Sequence, residues 1–397
     1  MTYDFTSVLD RRGRDSIAAD LIPIKGAAVD EGFSPIPMWV ADMSFPVAPP
    51  ILNAIQRRLE FPSFGYFPLP KAYYESIIRW QRTRNGVEGL EVKHIGYENG
   101  VLGGVSSAVQ MLTCPGEEVL VHAPTYAGFT HLFEDIGRVF VHSELKRDGR
   151  GIWRMDYEDM DRKLKQHHIH LAILCSPHNP TGRVWERWEL EKAMEVYAAN
   201  DCLVIADEIW SDIIMPGYRH ITAQSLSEDA RERTIAFYAP SKTFALAGLP
   251  GSYHIVYNDY LRDRLCRQGV MSRYNNANVL SVHALIGAYT EGAEWVDEMC
   301  RVVDGNHAYA CGFIGEHFPG VSVMRPQGTY MLFLDCGEWC RAHGVTLDEL
   351  LRRGIRVGVI WQSGAEFVYP CSIRLNLALP LSQLEKAMDR LKEYVFI

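Results

Sequence analysis

Lys242 lies in Ser241-Lys242-Thr243-Phe244, directly after the apolar run TIAFYAP (234–240). A lysine that loses hydration or gains cationic neighbours has a lowered pKa, attacks aldehydes and forms a Schiff base. Alone, the segment also reads as an exposed loop lysine, the commoner fate of that residue type. Asp207-Glu208 follows a second apolar run, CLVIA. A carboxylate buried there can hold a proton on a pyridine nitrogen, which makes such a ring an electron sink. The plain alternative is a cap for the next helix. Asn179, in CSPHNPTG after HIHLAILC, can donate to a phenolate or carbonyl oxygen. N-P followed by T-G equally marks a simple tight turn.

Three more segments belong beside these. Glu98-Asn99-Gly100-Val101-Leu102-Gly103-Gly104 runs into the helical pattern VSSAVQML. A glycine-rich turn feeding a helix N-terminus offers free amides and a positive dipole end to a phosphate, although Asn-Gly is also a hairpin signal. Tyr126, in APTYAGF, follows the strand-like EVLVHAP (118–124) and could stack on a ring. Arg374 lies in the apolar strand SIRLNLA, where an arginine wants a bidentate anion, from the protein or from a substrate. His167, His168 and His170 do not read as a metal site, because residues on opposite faces of a strand cannot converge.

The elements that must position these residues follow from periodicity. From about 92 to 260, short β-branched runs alternate with helical stretches such as 186–199, where Leu190, Ala193, Met194 and Tyr197 share a face. That alternation predicts an α/β fold with a mostly parallel sheet covered on both faces, whose strand C-termini form a ligand edge. After about 285 long helices and a few strands, 328–335 and 372–378, predict a smaller α+β domain. Its last helix is expected to open with a Ser382/Glu385 capping box and to bury Leu384, Met388, Leu391 and Val395. The expected division is an N-terminal segment 1–45 joining the small domain, a large domain 46–284 and a small domain 285–397.

Composition narrows the class. The chain has 397 residues, 47% apolar and 22% charged, which is ordinary for a globular protein. A net charge of −9 argues against nucleic acid or an anionic membrane as partner. The longest clean apolar run, IHLAILC, is too short to span a bilayer, and the N-terminus has no signal-peptide core. Nine cysteines, an odd count without a C-x-x-C pair, fit free thiols in a cytoplasmic protein.

In chain order the segments supply a phosphate site, a ring stacker, an oxygen ligand, a pyridinium partner, a Schiff-base lysine and a carboxylate clamp. Those are the needs of a pyridoxal-phosphate enzyme acting on amino acids. The chain resembles fold-type I pyridoxal-phosphate enzymes of the class I/II aminotransferase family. The resemblance is closest to the cystathionine β-lyase / cysteine–sulfur lyase subgroup that includes the maltose-regulon modulator. It is carried over nearly the whole length by PMWVADMSFP (37–46), FGYFPLP (64–70), CSPHNPTGRVW (175–185), VIADEIWSDII (204–214), APSKTF (239–244), LSVHALIGAYTEGAEW (280–295), PQGTYMLFLD (326–335) and SIRLNLALP (372–380).

The resemblance implies roles. Lys242 would form the Schiff base and then act as base on the substrate Cα–H. Asp207 would pair with the pyridine nitrogen and Asn179 with the ring oxygen. Tyr126 and Ile209 would cover the two ring faces. The amides of Val101 and Leu102, with Ser241, would hold the phosphate. Tyr66 would reach the phosphate of a neighbouring subunit, which implies a homodimer with shared sites. Arg374 would clamp the α-carboxylate of a small amino-acid substrate. Two positions depart from many aminotransferases: Trp210 stands where a tyrosine is common, and Pro250 where a phosphate-binding arginine is common. The implied reaction is β-elimination of cystathionine or another S-substituted cysteine to thiol, pyruvate and ammonia. An aminotransferase using the same residues, a racemase side activity, and a regulatory protein with residual lyase activity stay open at the level of sequence.

Overall fold

The computed structural model describes residues 2–397. Its centre is a seven-stranded sheet: β1 (Ile95–Glu98), β2 (Glu118–Ala123), β3 (Val139–Glu144), β4 (Leu171–Cys175), β5 (Leu203–Asp207), β6 (Thr234–Tyr238) and β7 (Ser252–Ile255). The spatial order is β1-β7-β6-β5-β4-β2-β3. Neighbours from β6 through β3 run parallel, and β7 is antiparallel to both β6 and β1. Runs such as LAILC form central strands because every residue has a core to enter. Leu171, Ile173 and Cys175 face one apolar cluster, while Ala172 and Leu174 face another on the opposite side. A parallel sheet covered on both faces requires this double burial.

The helix Val101–Leu112 lies on one face of the sheet. Its approach is set by glycine. A Cβ at Gly104 would fall 2.4 Å from the Phe237 ring, and one at Gly103 would fall 1.9 Å from the Tyr274 hydroxyl. The small residues therefore let the helix settle against β6 with its N-terminus at the C-terminal edge of the sheet.

A second sheet comprises β8 (Ser322–Val323), β9 (Met331–Asp335), β10 (Gln362–Ser363) and β11 (Ser372–Asn376), in the order β8-β9-β11-β10 and antiparallel throughout. Leu332, Leu334, Ile373 and Leu375 enter a core with Leu384, Met388, Leu391 and Val395. Met331 and Phe333, on the other face of β9, enter the large core. The small sheet is thus joined to the larger body through its own side chains. The N-terminal segment crosses this joint. Ile36–Pro37 pairs in parallel with Val359–Ile360, while Phe5, Met43 and Phe45 enter the large core.

The last helix, Leu381–Tyr394, differs from the sequence expectation at its start. Its N-cap is Pro380, without a side-chain cap, and Ser382 lies inside the first turn. The helix has already begun at Leu381, so Ser382 is not its N-cap and the capping-box spacing is coincidental.

Gly104→Val tests the helix seat. The buried Phe237 ring cannot move aside freely, so the substitution is expected to cost about 1–3 kcal/mol. A urea unfolding curve reads the loss, and unchanged stability would mean that the contact is slack.

Candidate active site

Strand ends set the site. Asp207 is the last residue of β5, the CSPHNPTG turn follows β4, and Lys242 lies in the short helix Pro240–Thr243 after β6. Tyr126 caps the helix that follows β2, and Gly100 caps the helix Val101–Leu112 after β1. Gly100 adopts φ +101°, a conformation costly for other residues, and this turns the chain from strand to helix in one step. These positions converge on a cavity of about 300 Å³ lined by Gly100, Val101, Leu102, Tyr126, Asn179, Asp207, Ile209, Ser241 and Lys242, among others.

Electrostatics distinguish the charged groups. The Lys242 ammonium donates to the Ala41 carbonyl at 3.0 Å. Burial and the Arg374 charge pull its pKa down to about 8, against opposing pulls from Asp42 and Asp207. Burial pushes Asp207 up to about 6, although it accepts the Ile209 amide at 3.2 Å and feels Lys242. Arg374 is buried, and desolvation lowers its pKa to about 10. Its Nη1 donates to Asn179 Oδ1 at 3.1 Å and its Nη2 to the Trp39 carbonyl at 3.0 Å and to Gln362. Among the described residues its Nε has no hydrogen-bond partner, and the guanidinium sits 4.5 Å over the Phe367 ring. Burial also raises the Tyr126 phenol.

These residues fit pyridoxal phosphate. The helix N-terminus at Gly100 has no side-chain cap, so its first amides are free for an oxyanion beside Ser241. Tyr126 and Ile209 line the same cavity and could flank a ring. Asp207 could carry the charge of a pyridinium, and the unpartnered Nε of Arg374 suits a carboxylate.

The structure therefore brings Lys242, Asp207, Asn179, Tyr126, Ser241, Val101 and Leu102 together, with Arg374 joined to them through Asn179. Tyr66 lies elsewhere. It is fully exposed, in an irregular segment beside Asn276–Leu280. Glu208 is not a cavity residue: it is buried and accepts bonds from His220 and Tyr238 at 2.9 and 2.7 Å and from the Ala223 amide at 2.8 Å. Trp210 lines the cavity and meets Tyr330 edge-on at 4.8 Å. Pro250 lines it too.

Sequence reading gave no role to Trp39, Ala41 or Gln362. The first two act through backbone carbonyls, which side-chain type does not reveal. A signal did exist for the segment around them. Asn376 lies two residues from Arg374 on the same face of β11, and its amide holds the Val40 and Asp42 carbonyls at 2.8 and 2.7 Å. Gln362 lies directly across from Arg374 in the neighbouring strand.

Known proteins resemble this chain over most of its length. The family model "Aminotransferase class I and II" matches residues 41–391. A cystathionine beta-lyase, PatB, of Bacillus subtilis is 33% identical over 90% of this chain and 92% of its own length. The protein MalY of Escherichia coli is 29% identical over 97% of each chain. The crystal structure of cystalysin from Treponema denticola, which contains a pyridoxal 5'-phosphate cofactor, superposes with a TM-score of 0.92 at 28% identity, covering 99% of this chain and 98% of that one. With the family pattern matched along most of its length and a site of this geometry at the sheet edge, the chain belongs to the class I and II aminotransferase family.

Proposed function

We propose that this protein is a pyridoxal-phosphate-dependent carbon–sulfur lyase that eliminates the thiol from cystathionine or another S-substituted cysteine, giving pyruvate and ammonia. The observation that carries the reading is an amine with a lowered pKa, Lys242, sharing one cavity with Asp207, Asn179 and an uncapped helix N-terminus. Likeness to a cystathionine beta-lyase over nine-tenths of the chain favours elimination over amino transfer.

Pyridoxal phosphate, when bound, supplies an aldehyde and an electron-withdrawing ring. Arg374 takes the substrate α-carboxylate, held in place by Asn179, Gln362 and the Trp39 carbonyl. That grip orients the Cα–H bond, a positioning contribution. Lys242 removes the Cα proton: its lowered pKa keeps a fraction of the amine free near neutrality. Departure of a thiolate from Cβ follows, and the unsaturated amine hydrolyses to pyruvate and ammonia. Asp207 would keep the ring nitrogen protonated, Asn179 would bind the ring oxygen, and Tyr126 and Ile209 would confine the ring. Val101, Leu102 and Ser241 would hold the phosphate.

The working unit in this reading is a cytoplasmic homodimer. Tyr66 is exposed and remote from its own cavity, and Phe61 and Phe64 are exposed beside it. Such a surface suits a neighbouring subunit whose phosphate Tyr66 completes. Nine free cysteines suit a reducing compartment. The division into 1–45, 46–284 and 285–397 belongs to the same proposal.

Three measurements test it. With an S-substituted cysteine and no oxo-acid, pyruvate and thiol should form over many turnovers, and Lys242→Ala should abolish both the product and the visible cofactor absorbance. One stoichiometric half-reaction yielding the aminated cofactor would sink the lyase reading. Second, protein stripped of cofactor should regain it faster as pH rises through about 8, because only the unprotonated Lys242 amine attacks an aldehyde. A midpoint above 10 would mean the amine is not desolvated. Third, Tyr66→Ala and Lys242→Ala chains, each impaired alone, should regain activity when mixed into hybrid dimers. No recovery would assign Tyr66 to its own subunit or to no site.

A further inference from the structure

A second cavity, of about 480 Å³, lies outside the candidate active site. Arg84, Arg219, Arg301, Asp212 and Asp297 line it, and none of them lines the first cavity. Trp210 lines the first cavity while Ser211 and Asp212 line this one, so one short segment borders both. The reading of the candidate active site uses none of the three arginines.

Local structure brings the arginines together. Arg84 lies in the last turn of the helix Lys71–Asn85. Arg301 shares a face of the helix Ala293–His317 with Asp297, four residues earlier. Arg219 follows a tight turn. Pro216 takes the second position, Gly217 with φ +90° the third, and the Tyr218 amide donates back to the Met215 carbonyl at 3.1 Å. Buried residues pin the turn on both sides. The Met215 amide donates to the Gln327 carbonyl at 2.9 Å, and His220 is bonded to Glu208 at 2.9 Å. Gly86 is the C-cap of the helix Lys71–Asn85, and a Cβ there would fall 2.9 Å from Arg219 Nη2. The Arg219 guanidinium thus lies against the end of the helix that carries Arg84.

The charges in this cavity do not balance locally. Asp297 has the spacing to pair with Arg301, yet its Oδ1 accepts from Arg84 Nη1 at 2.5 Å. Asp212 is buried, and its two oxygens are taken by Trp80 at 2.9 Å and Thr243 at 3.0 Å. Among the described residues Arg219 and Arg301 have no carboxylate partner. Like charges on one cavity wall repel, and a doubly charged anion bound to both removes that cost. The guanidinium fork matches phosphoryl oxygens two at a time, and a phosphate monoester carries close to two charges near neutral pH.

We propose that this cavity binds a phosphoryl group through Arg219 and Arg301, either as inorganic phosphate or as the monoester of a small metabolite. Arg84, already paired with Asp297, adds positive field. The cavity volume leaves room for a small organic body beside the phosphoryl group.

The test uses the holoenzyme, whose own phosphate site is filled, in a phosphate-free buffer of constant ionic strength. Inorganic phosphate and glycerol 3-phosphate are titrated separately by isothermal calorimetry, with glycerol as the uncharged control. A single saturable site per chain is expected for at least one of the two anions and none for glycerol. Tighter binding of glycerol 3-phosphate assigns the site to a monoester, and binding no tighter than that of phosphate assigns it to the free anion. The double variant Arg219→Gln/Arg301→Gln should weaken the affinity at least about tenfold, the loss of charged hydrogen bonds. Both residues are exposed, so its melting temperature should match that of the unaltered protein. The control Arg14→Gln/Arg187→Gln removes the same charge from exposed residues that do not line this cavity, and should leave the affinity within about twofold. No saturable binding of either anion would overturn the proposal. So would equal affinity in the unaltered protein and the Arg219→Gln/Arg301→Gln variant, or an equal loss in the control.

Discussion

An amine, a carboxylate and a guanidinium share one enclosed region, and among the described residues none forms an ion pair with another. Lys242 hydrogen-bonds a carbonyl, Asp207 an amide, and Arg374 three carbonyl-type oxygens, the Asn179 and Gln362 amide oxygens and a backbone carbonyl. Each group is therefore drawn toward its neutral form by burial, the lysine and arginine downward and the aspartate upward. Keeping them apart costs folding free energy, since a buried charge without its counter-ion is expensive. The same separation leaves each group available to a ligand. An anionic cofactor and a zwitterionic substrate would supply the charges that the protein withholds.

The surrounding architecture maintains this separation. Lys242 is held away from Asp207 by the Ala41 carbonyl, and Ala41 is held by Asn376 through the carbonyls on either side of it. Arg374 and Asn376 lie on one face of one strand, so a single strand of the small sheet anchors the crossing segment and the guanidinium together. That strand is paired over five residues with β9, whose Met331 and Phe333 enter the large core. Beneath Lys242, Thr243 donates to the buried Asp212 at 3.0 Å, and Trp80 does so at 2.9 Å. The cavity is thus set by contacts from two sheets and the N-terminal segment.

The sheet and half of the site are legible in the sequence for one reason. Parallel strands are short apolar runs, and a polar residue that ends such a run lies at the ligand edge. Asp207, Asn179 and Lys242 all follow that rule. Glu208 shows its limit: it follows the same run, yet the alternation along the chain turns it inward to His220 and Tyr238. The contributions of Trp39 and Ala41 are illegible because a carbonyl belongs to every residue type. The Ser382 spacing misled because the helix starts one residue earlier, at Leu381, with Pro380 as its N-cap.

Glu98 shows how one turn can serve two ends. As the last residue of β1 it precedes Asn99 and Gly100, whose backbone must be held for the helix N-terminus to face the cavity. Its carbonyl takes the Ser252 hydroxyl, while its carboxylate takes Asn275 and His254. Asn275 and Ser252 each hold an amide of that same turn. Removing the carboxylate charge would weaken the charge-assisted bonds to His254 and Asn275 together, and through Asn275 the grip on Asn99. The buried His254–Glu98 pair and the helix end that opens the cavity are consequently not independent features. They are opposite sides of one hydrogen-bonded joint, linked through three side chains, His254, Glu98 and Asn275.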